Sequence, residues 1–379
     1  MIALNFFQRL PSFSLTSAVG SAITPWVNEH RLPRPYLMTF VVTRRCNSRC
    51  RMCNIWRQKD LPELSLDQIR TIFAPGFPFV RGLTLTGGEP TLRADLPEIF
   101  ALADTACPQL EHVTLATSGL NPTRVLKHVS AILERAAQRS RPLKGFVAQV
   151  SLDGIGHEHD QVRGIEGFFD RVQETLHGLR QLQRRHPLLQ TRLSSVTLPQ
   201  NLPDVPHLRS FAEERGLPIH FSPVVISGAY YENVGDDDAL SLRHDQRRSA
   251  KRLYESLSAE ESSALRFYYR DMANMLSGRP RSRTCMMGFY GFVLEHDGSV
   301  YPCVNCETRS FGNLPRQSFD EVWFGDQATE ARRRLRTNCC PGCTSMCYPA
   351  PVNILELAKA TWRTRLTRRQ KRRAAHGEG

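Results

Sequence analysis

From Tyr36 to about residue 225, short apolar runs alternate with helix-like segments, and this alternation constrains the fold more than any other feature of the chain. The runs are YLMTFVVT (36–43), GLTLTGG (82–88), HVTLATSG (112–119), GFVAQVSLDG (145–154), LQTRLSSVTL (189–198) and PIHFSPVVI (218–226). Between them lie segments of helical periodicity, the first opening on a capping-box pair, Ser65 and Gln68. Strands separated by helices pair in parallel through right-handed crossovers. Six such units predict an α/β fold, a partial (β/α)6 barrel. Sites in such sheets lie at the carboxyl ends of the strands. Three short segments follow strand ends, at 44–56, 87–90 and 151–154, and are expected to converge on one rim.

The remaining composition sets the domain boundaries. Residues 1–35 form an N-terminal segment, mildly apolar but broken by Arg9 and Pro11, and are expected to lie as a short helix on the domain or on a membrane surface. The barrel is assigned to 36–226, and a polar, partly helical connection to 227–284. A small cysteine-rich domain is assigned to 285–350, with a hairpin turning at Gly298, and a basic tail to 351–379.

Ten of the eleven cysteines fall in two groups, 46–53 and 285–347, with Cys107 alone. Short C-x2-C and C-x3-C steps suit metal chelation better than disulfide loops. This predicts a reducing, cytoplasmic setting. In the first group Cys46, Cys50 and Cys53 follow a strand at C-x3-C-x2-C spacing. Zinc would want a fourth Cys or His nearby, and NIWRQKDLPEL supplies none. A [4Fe–4S] cubane accepts three thiolates and leaves one iron open to an exchangeable ligand. Arg44, Arg45, Arg49 and Arg51 flank the motif and are expected to lower the thiol pKa values.

The triplet, with Met52 in the hydrophobic position before Cys53, resembles the signature of the radical S-adenosylmethionine (SAM) enzymes. TGGEP (86–90) matches that family's Gly-Gly-Glu-Pro, 34 residues beyond Cys53, and SLDG (151–154) falls where relatives place polar groups near the ribose. The resemblance implies that SAM chelates the open iron and is cleaved by one electron to a 5′-deoxyadenosyl radical. It implies SAM contacts at Met52, Gly87, Gly88 and Glu89, a ribose contact at Ser151 and a SAM-carboxylate contact at Arg163. Glu89 would accept from the SAM ammonium. At 116–119 the chain reads ATSG, where relatives often carry Thr-Asn-Gly, so no role is assigned to Ser118.

The second group reads Cys285-x12-Gly298-x4-Cys303, then Cys340-x2-Cys343-x3-Cys347, with Cys306 and Cys339 besides. This resembles the C-terminal SPASM or twitch extension of radical SAM enzymes. The resemblance implies one auxiliary [4Fe–4S] cluster, with ligands drawn from Cys285, Cys303, Cys340, Cys343 and Cys347. Such a cluster would bind substrate at an open iron or accept an electron from it. C-x2-C pairs suit structural zinc equally well.

The substrate is expected above the barrel, where the segment after the last strand brings His220, Ser222, Tyr230, Tyr231 and Glu232. No general base is assigned. Relatives act on peptides, sugar-like molecules or lipids. The 35 residues before the first strand are too few for a winged helix, which disfavours a self-contained peptide maturase. The net charge is +13, and WRTRLTRRQKRR (362–373) holds seven cations. That tail suits a solvated end or contact with anionic lipid. A small-molecule, lipid-linked or peptide substrate and a low-potential electron donor such as flavodoxin or ferredoxin are the expected partners. The competing reading is a zinc-bearing nucleic-acid-binding protein, which the basic charge permits but in which Gly-Gly-Glu-Pro and the βα repeats have no place. Metal and sulfide analysis of anaerobically purified protein separates the two: two cubanes give about eight irons and eight sulfides per chain, whereas zinc without sulfide carries the competing reading.

Overall fold

The computed structural model describes residues 32–58, 61–261, 263, 265–281, 285, 287–305, 310–335 and 343–345. The N-terminal segment before residue 32, the basic tail, and Cys306, Cys339, Cys340 and Cys347 lie outside them. The chain divides into two compact units, one of 33–241 with 287–345 and the other centred on 242–286.

In the larger unit the strands are β1 (Leu37–Thr43), β2 (Gly82–Gly87), β3 (His112–Thr117), β4 (Gly145–Ser151), β5 (Leu189–Thr197), β6 (Ile219–Pro223), β7 (Gly291–Leu294), β8 (Ser299–Tyr301) and β9 (Gly312–Asn313). They join one sheet in the order β6-β5-β4-β3-β2-β1-β7-β8-β9. β1 to β6 are parallel neighbours in chain order, as six βα units require. Helices α1 (Leu66–Phe73), α2 (Leu96–Ala106), α3 (Pro122–Ala137), α4 (His157–Arg163), α5 (Phe168–Arg185) and α6 (Val205–Glu214) fill the connections. At the start of α1 the Ser65–Gln68 capping box forms in both directions. A short α7 (Asp237–Leu240) ends the unit's first segment.

The parallel sheet explains the sequence pattern. Leu83, Leu85, Val113, Leu115, Ala148, Val150 and Leu193 alternate onto one face and are fully buried. The opposite, inner face carries Thr84, Thr86, Thr114, Gln149, Ser151, Arg192 and Ser194, all half-buried. A hydrophobic sheet with one polar, half-covered face leaves room on that face for a ligand.

The cysteine-rich end continues the sheet. β7 pairs in parallel with β1, Thr39 opposite Val293, and β8 returns antiparallel through the turn at Gly298. Residues 287–345 therefore group with the barrel, although composition sets them apart. Segment 227–241 groups with the barrel too. The other unit carries α8 (His244–Glu260) and α9 (Leu265–Leu276), and in the larger unit α10 (Phe319–Phe324) and α11 (Asp326–Arg334) pack behind β7. Trp323 is fully buried, its ring 6.2 Å from Phe292 and 5.7 Å from Phe311, and its indole N–H donates to the Pro33 carbonyl at 3.1 Å. In the smaller unit α8 and α9 pack on each other, with Tyr254 and Tyr269 ring centroids 6.0 Å apart. No helix among the described residues is long and apolar enough to cross a membrane.

Truncating Trp323 empties the aromatic cluster that seats β7. Trp323→Ala is expected to lower unfolding stability by about 3 kcal/mol, read as a fall in the denaturant midpoint. A variant that unfolds with the parent would show that this cluster contributes little.

Candidate functional site

The loop that follows β1 carries Cys46, Cys50 and Cys53, and three distant segments hold it. The first is the glycine pair at the end of β2. The Gly88 amide donates to the Thr43 carbonyl at 2.9 Å and the Glu89 amide to the Arg45 carbonyl at 2.9 Å. A Cβ at Gly88 would stand 2.3 Å from the Arg45 carbonyl oxygen, so only glycine permits this approach. The second is the end of α4. The Arg49 amide donates to the Arg163 carbonyl at 3.1 Å and the Arg51 amide to the Val162 carbonyl at 3.0 Å. Gly164 closes α4 in the left-handed conformation, and a Cβ there would meet the Arg49 carbonyl at 2.3 Å.

The third is the segment after β6. The fully buried Asn233 donates from Nδ2 to the Met52 carbonyl at 2.8 Å and the Val225 carbonyl at 3.0 Å. The Asn54 amide donates to the Tyr231 carbonyl at 2.8 Å, and Asn54 Nδ2 to Asp236 Oδ2 at 2.7 Å. Tyr230 donates to the Gly87 carbonyl at 2.6 Å. Residues expected to face substrate here, Tyr230 and Glu232 among them, thus brace the cysteine loop: the Glu232 carbonyl accepts from Asn54 Nδ2 at 3.0 Å.

The thiols gather in apolar surroundings. Cys46 and Cys53 pack near Val41, Ile55 and Tyr230, and Cys50 near Met52, Val162 and Leu198. Burial pushes the Cys46 thiol up to about 11 and Cys53 to about 12, and raises Cys50 as well. The expectation that the flanking arginines would lower these values is corrected. Arg44 pairs with Glu295 at 3.2 Å, Arg45 with Glu63 at 3.1 Å, and Arg51 donates to Gln200 at 2.8 Å. The cation that acts on the thiols is Arg163, whose Nη1 lies 3.5 Å from Cys50 Sγ.

One buried and two half-buried thiols in mutual electrostatic contact, all raised by desolvation, ionise readily only if a multivalent cation compensates them. Among the described residues no three His, Cys, Asp or Glu side chains converge on one ion. Three thiols with no fourth Cys or His supplied by the loop suit a cluster with one open iron better than a closed zinc site. The donor set therefore fits a [4Fe–4S] group.

Met52 is buried, with Val162, Leu198 and Leu240 around it. Glu89 is buried: Oε1 accepts from the Thr91 amide and hydroxyl and from the Thr117 hydroxyl, while Oε2 accepts from the Ser118 amide at 2.7 Å. Three donors crowd Oε1 and one reaches Oε2, so Oε2 is the oxygen with acceptor capacity left. Ser151 ends β4 on the inner face, opposite Ser194. Arg163 is engaged by the fully buried Asp153, Nη2 to Oδ2 at 2.5 Å. Of the second cysteine group, Cys285, Cys303 and Cys343 are described and half-buried. Cys285 falls in the other compact unit.

The sequence reading missed the inner-face layer. Arg192 Nη2 donates to Gln149 Oε1 at 2.7 Å, and His220, opposite Ser194 on β6, stands diagonally from Arg192. Alternation of polar with apolar residues along LQTRLSSVT was the available signal.

Residues 40–212 match the radical SAM superfamily, and 285–348 match the iron-sulfur cluster-binding SPASM domain. The chain is 26% identical over 330 residues to pre-heme d1 synthase of Dinoroseobacter shibae, covering 80% of this chain and 77% of that protein. It is likewise 26% identical over 328 residues to mycofactocin maturase MftC of Mycolicibacterium smegmatis, covering 84% and 77%. Streptococcus suis SuiB bound to S-adenosylmethionine superimposes with a TM-score of 0.56 at 14% identity, covering 87% of this chain and 78% of that one. The chain belongs to the radical SAM superfamily and carries a C-terminal SPASM domain. It is an enzyme of that class, using a [4Fe–4S] cluster with SAM and auxiliary iron–sulfur chemistry, and the zinc-bearing nucleic-acid-binding reading falls.

Two histidines beside the site titrate abnormally. Burial holds His159 and His220 well below the ordinary 6.5, with Arg163 and Arg192 respectively adding to the effect. In the unfolded chain both take up a proton near 6.5. The unfolded state therefore binds protons first, and stability is full above about 6.5 and lost as pH falls below it. Denaturant midpoints are expected to drop on acidification, and His220→Asn to flatten the slope by up to about 1.4 kcal/mol per pH unit. An unchanged slope would show that His220 is not buried neutral.

Proposed function

We propose that the chain oxidises a carboxylate-bearing small molecule, held on the inner face of the partial barrel beneath the cysteine rim. The observation that carries this reading is two inner-face rows: Gln149 beside Arg192, and one step nearer the rim Ser151, Ser194 and His220 from three adjacent strands. When bound, the cluster and SAM supply a 5′-deoxyadenosyl radical that removes a hydrogen atom from substrate.

Cys46, Cys50 and Cys53 are the thiols for that cluster. Glu89 Oε2 takes the SAM ammonium through its remaining acceptor site, and the glycine pair at 87–88 gives close backbone approach. Ser151 meets the ribose. On the inner face the Arg192 guanidinium offers a planar charged donor for a carboxylate. His220, kept neutral by burial, adds hydrogen-bonding capacity without a second charge. The apolar helix-covered face of the sheet excludes water from behind the layer.

One auxiliary cluster, with ligands from Cys285, Cys303, Cys340, Cys343 and Cys347, takes the electron that makes the net reaction an oxidation. A low-potential donor such as flavodoxin or ferredoxin supplies the cluster at the rim, and the basic tail rests on anionic lipid. A carboxylated tetrapyrrole is the first substrate to offer, because the relative named pre-heme d1 synthase spans 80% of this chain. A peptide is the second, because of the mycofactocin maturase.

The test supplies reconstituted protein with reductant, SAM and either substrate, deuterated at its C–H positions. Deuterium is expected in 5′-deoxyadenosine with the tetrapyrrole. Transfer from the peptide instead overturns the substrate assignment, and no SAM cleavage under any reductant overturns the radical chemistry for this chain.

A further inference from the structure

Within the cysteine loop one thiol differs from the other two. Cys50 receives a hydrogen bond from a buried guanidinium, Arg163 Nη1 to Sγ at 3.5 Å, from a residue more than a hundred positions downstream. The Arg163 side chain is 10% exposed, so water screens its charge poorly. Backbone bonds on either side of Cys50, from Arg49 to the Arg163 carbonyl and from Arg51 to the Val162 carbonyl, place the donor. The contact is therefore built into the backbone docking and does not depend on a free rotamer.

A second layer fixes the guanidinium. Its Nη2 meets Asp153 Oδ2 at 2.5 Å, and Asp153 Oδ1 accepts from the Val196 amide at 2.7 Å. The Asp153 amide donates to His159 Nδ1 at 3.1 Å, and its carbonyl accepts from Asn201 Nδ2 at 2.7 Å. Asp153 and Asn201 are fully buried. A guanidinium stays charged at any working pH, and its planar fork reaches a carboxylate and a sulfur together.

We propose that Arg163, oriented by Asp153, is a positioning residue that sets the reduction potential of the cluster held by Cys46, Cys50 and Cys53. The inference rests on the reading that these three cysteines hold a cluster. Reduction adds one electron to the cluster and its thiolates. A charged hydrogen bond to one thiolate stabilises the more negative, reduced form and raises the potential. Asp153 balances the same charge, so losing it acts in the opposite direction.

The experiment is an EPR-monitored redox titration of the anaerobically reconstituted full chain, without SAM. The relevant signal is the one absent from a Cys46→Ala/Cys50→Ala/Cys53→Ala chain. Arg163→Met is expected to shift the oxidised-to-reduced ratio at fixed potential about tenfold toward oxidised, which is ~59 mV for one electron. Arg163→Lys, which keeps the charge, should recover most of that shift, and Asp153→Asn should shift the ratio toward reduced. Should Arg163→Met fail to hold iron, the other two variants read the same quantity. Loaded variants that titrate with the parent, or that all shift in one direction, overturn the inference. A parent chain that lacks the cysteine-dependent signal overturns the underlying reading instead.

Discussion

Docking of the loop between β1 and α1 onto three segments far away in sequence is the constraint on which the site depends. Three thiols, largely withdrawn from the water that would solvate their anions, gain from their own loop little beyond the amides of Ser48 and Ile55. The amides of Gly88 and Glu89, the carbonyls of Val162 and Arg163, and the carboxamide of Asn233 supply what the loop lacks. Each satisfies a buried polar group that would otherwise cost about 1–3 kcal/mol. The loop is thus the meeting point of the ends of β1 and β2, of α4, and of the segment after β6.

The same docking explains why motifs that look independent in the sequence are one object. The two glycines also act as clearance, since side chains there would strike Thr43 and Arg45. Tyr230 caps the Gly87 carbonyl and stacks near Arg44, which pairs with Glu295 at the end of β7. The cysteine-rich end is joined to the rim both by strand pairing and by this charged contact. Substitutions in any one of these pieces are expected to be felt in the others, because contacting residues are not energetically additive.

Much of the fold was legible. The βα alternation, the capping box at Ser65, the hairpin at Gly298 and the two cysteine groups needed only periodicity, turn chemistry and spacing. Two features were not. α4 is a seven-residue helix, too short to show an amphipathic repeat, and its only local mark is Gly164. The pairing of β7 with β1 joins residues about 250 positions apart, and no local preference records such a contact. The electrostatics misled for a related reason: arginines adjacent to the cysteines in sequence are taken up by Glu63, Gln200 and Glu295, while the arginine that touches a thiol comes from α4.

Residue types and intervals alone determined that this chain would build a parallel α/β sheet and present three thiols at its rim, because strand and helix periods and thiol spacing are properties of a local stretch. Tertiary structure alone decided which cation faces Cys50, how Glu89 divides its acceptor sites, and which polar side chains share the inner face. Those outcomes depend on distances between strands and on what each burial leaves unsolvated, and both are quantities that exist only once the chain has closed on itself.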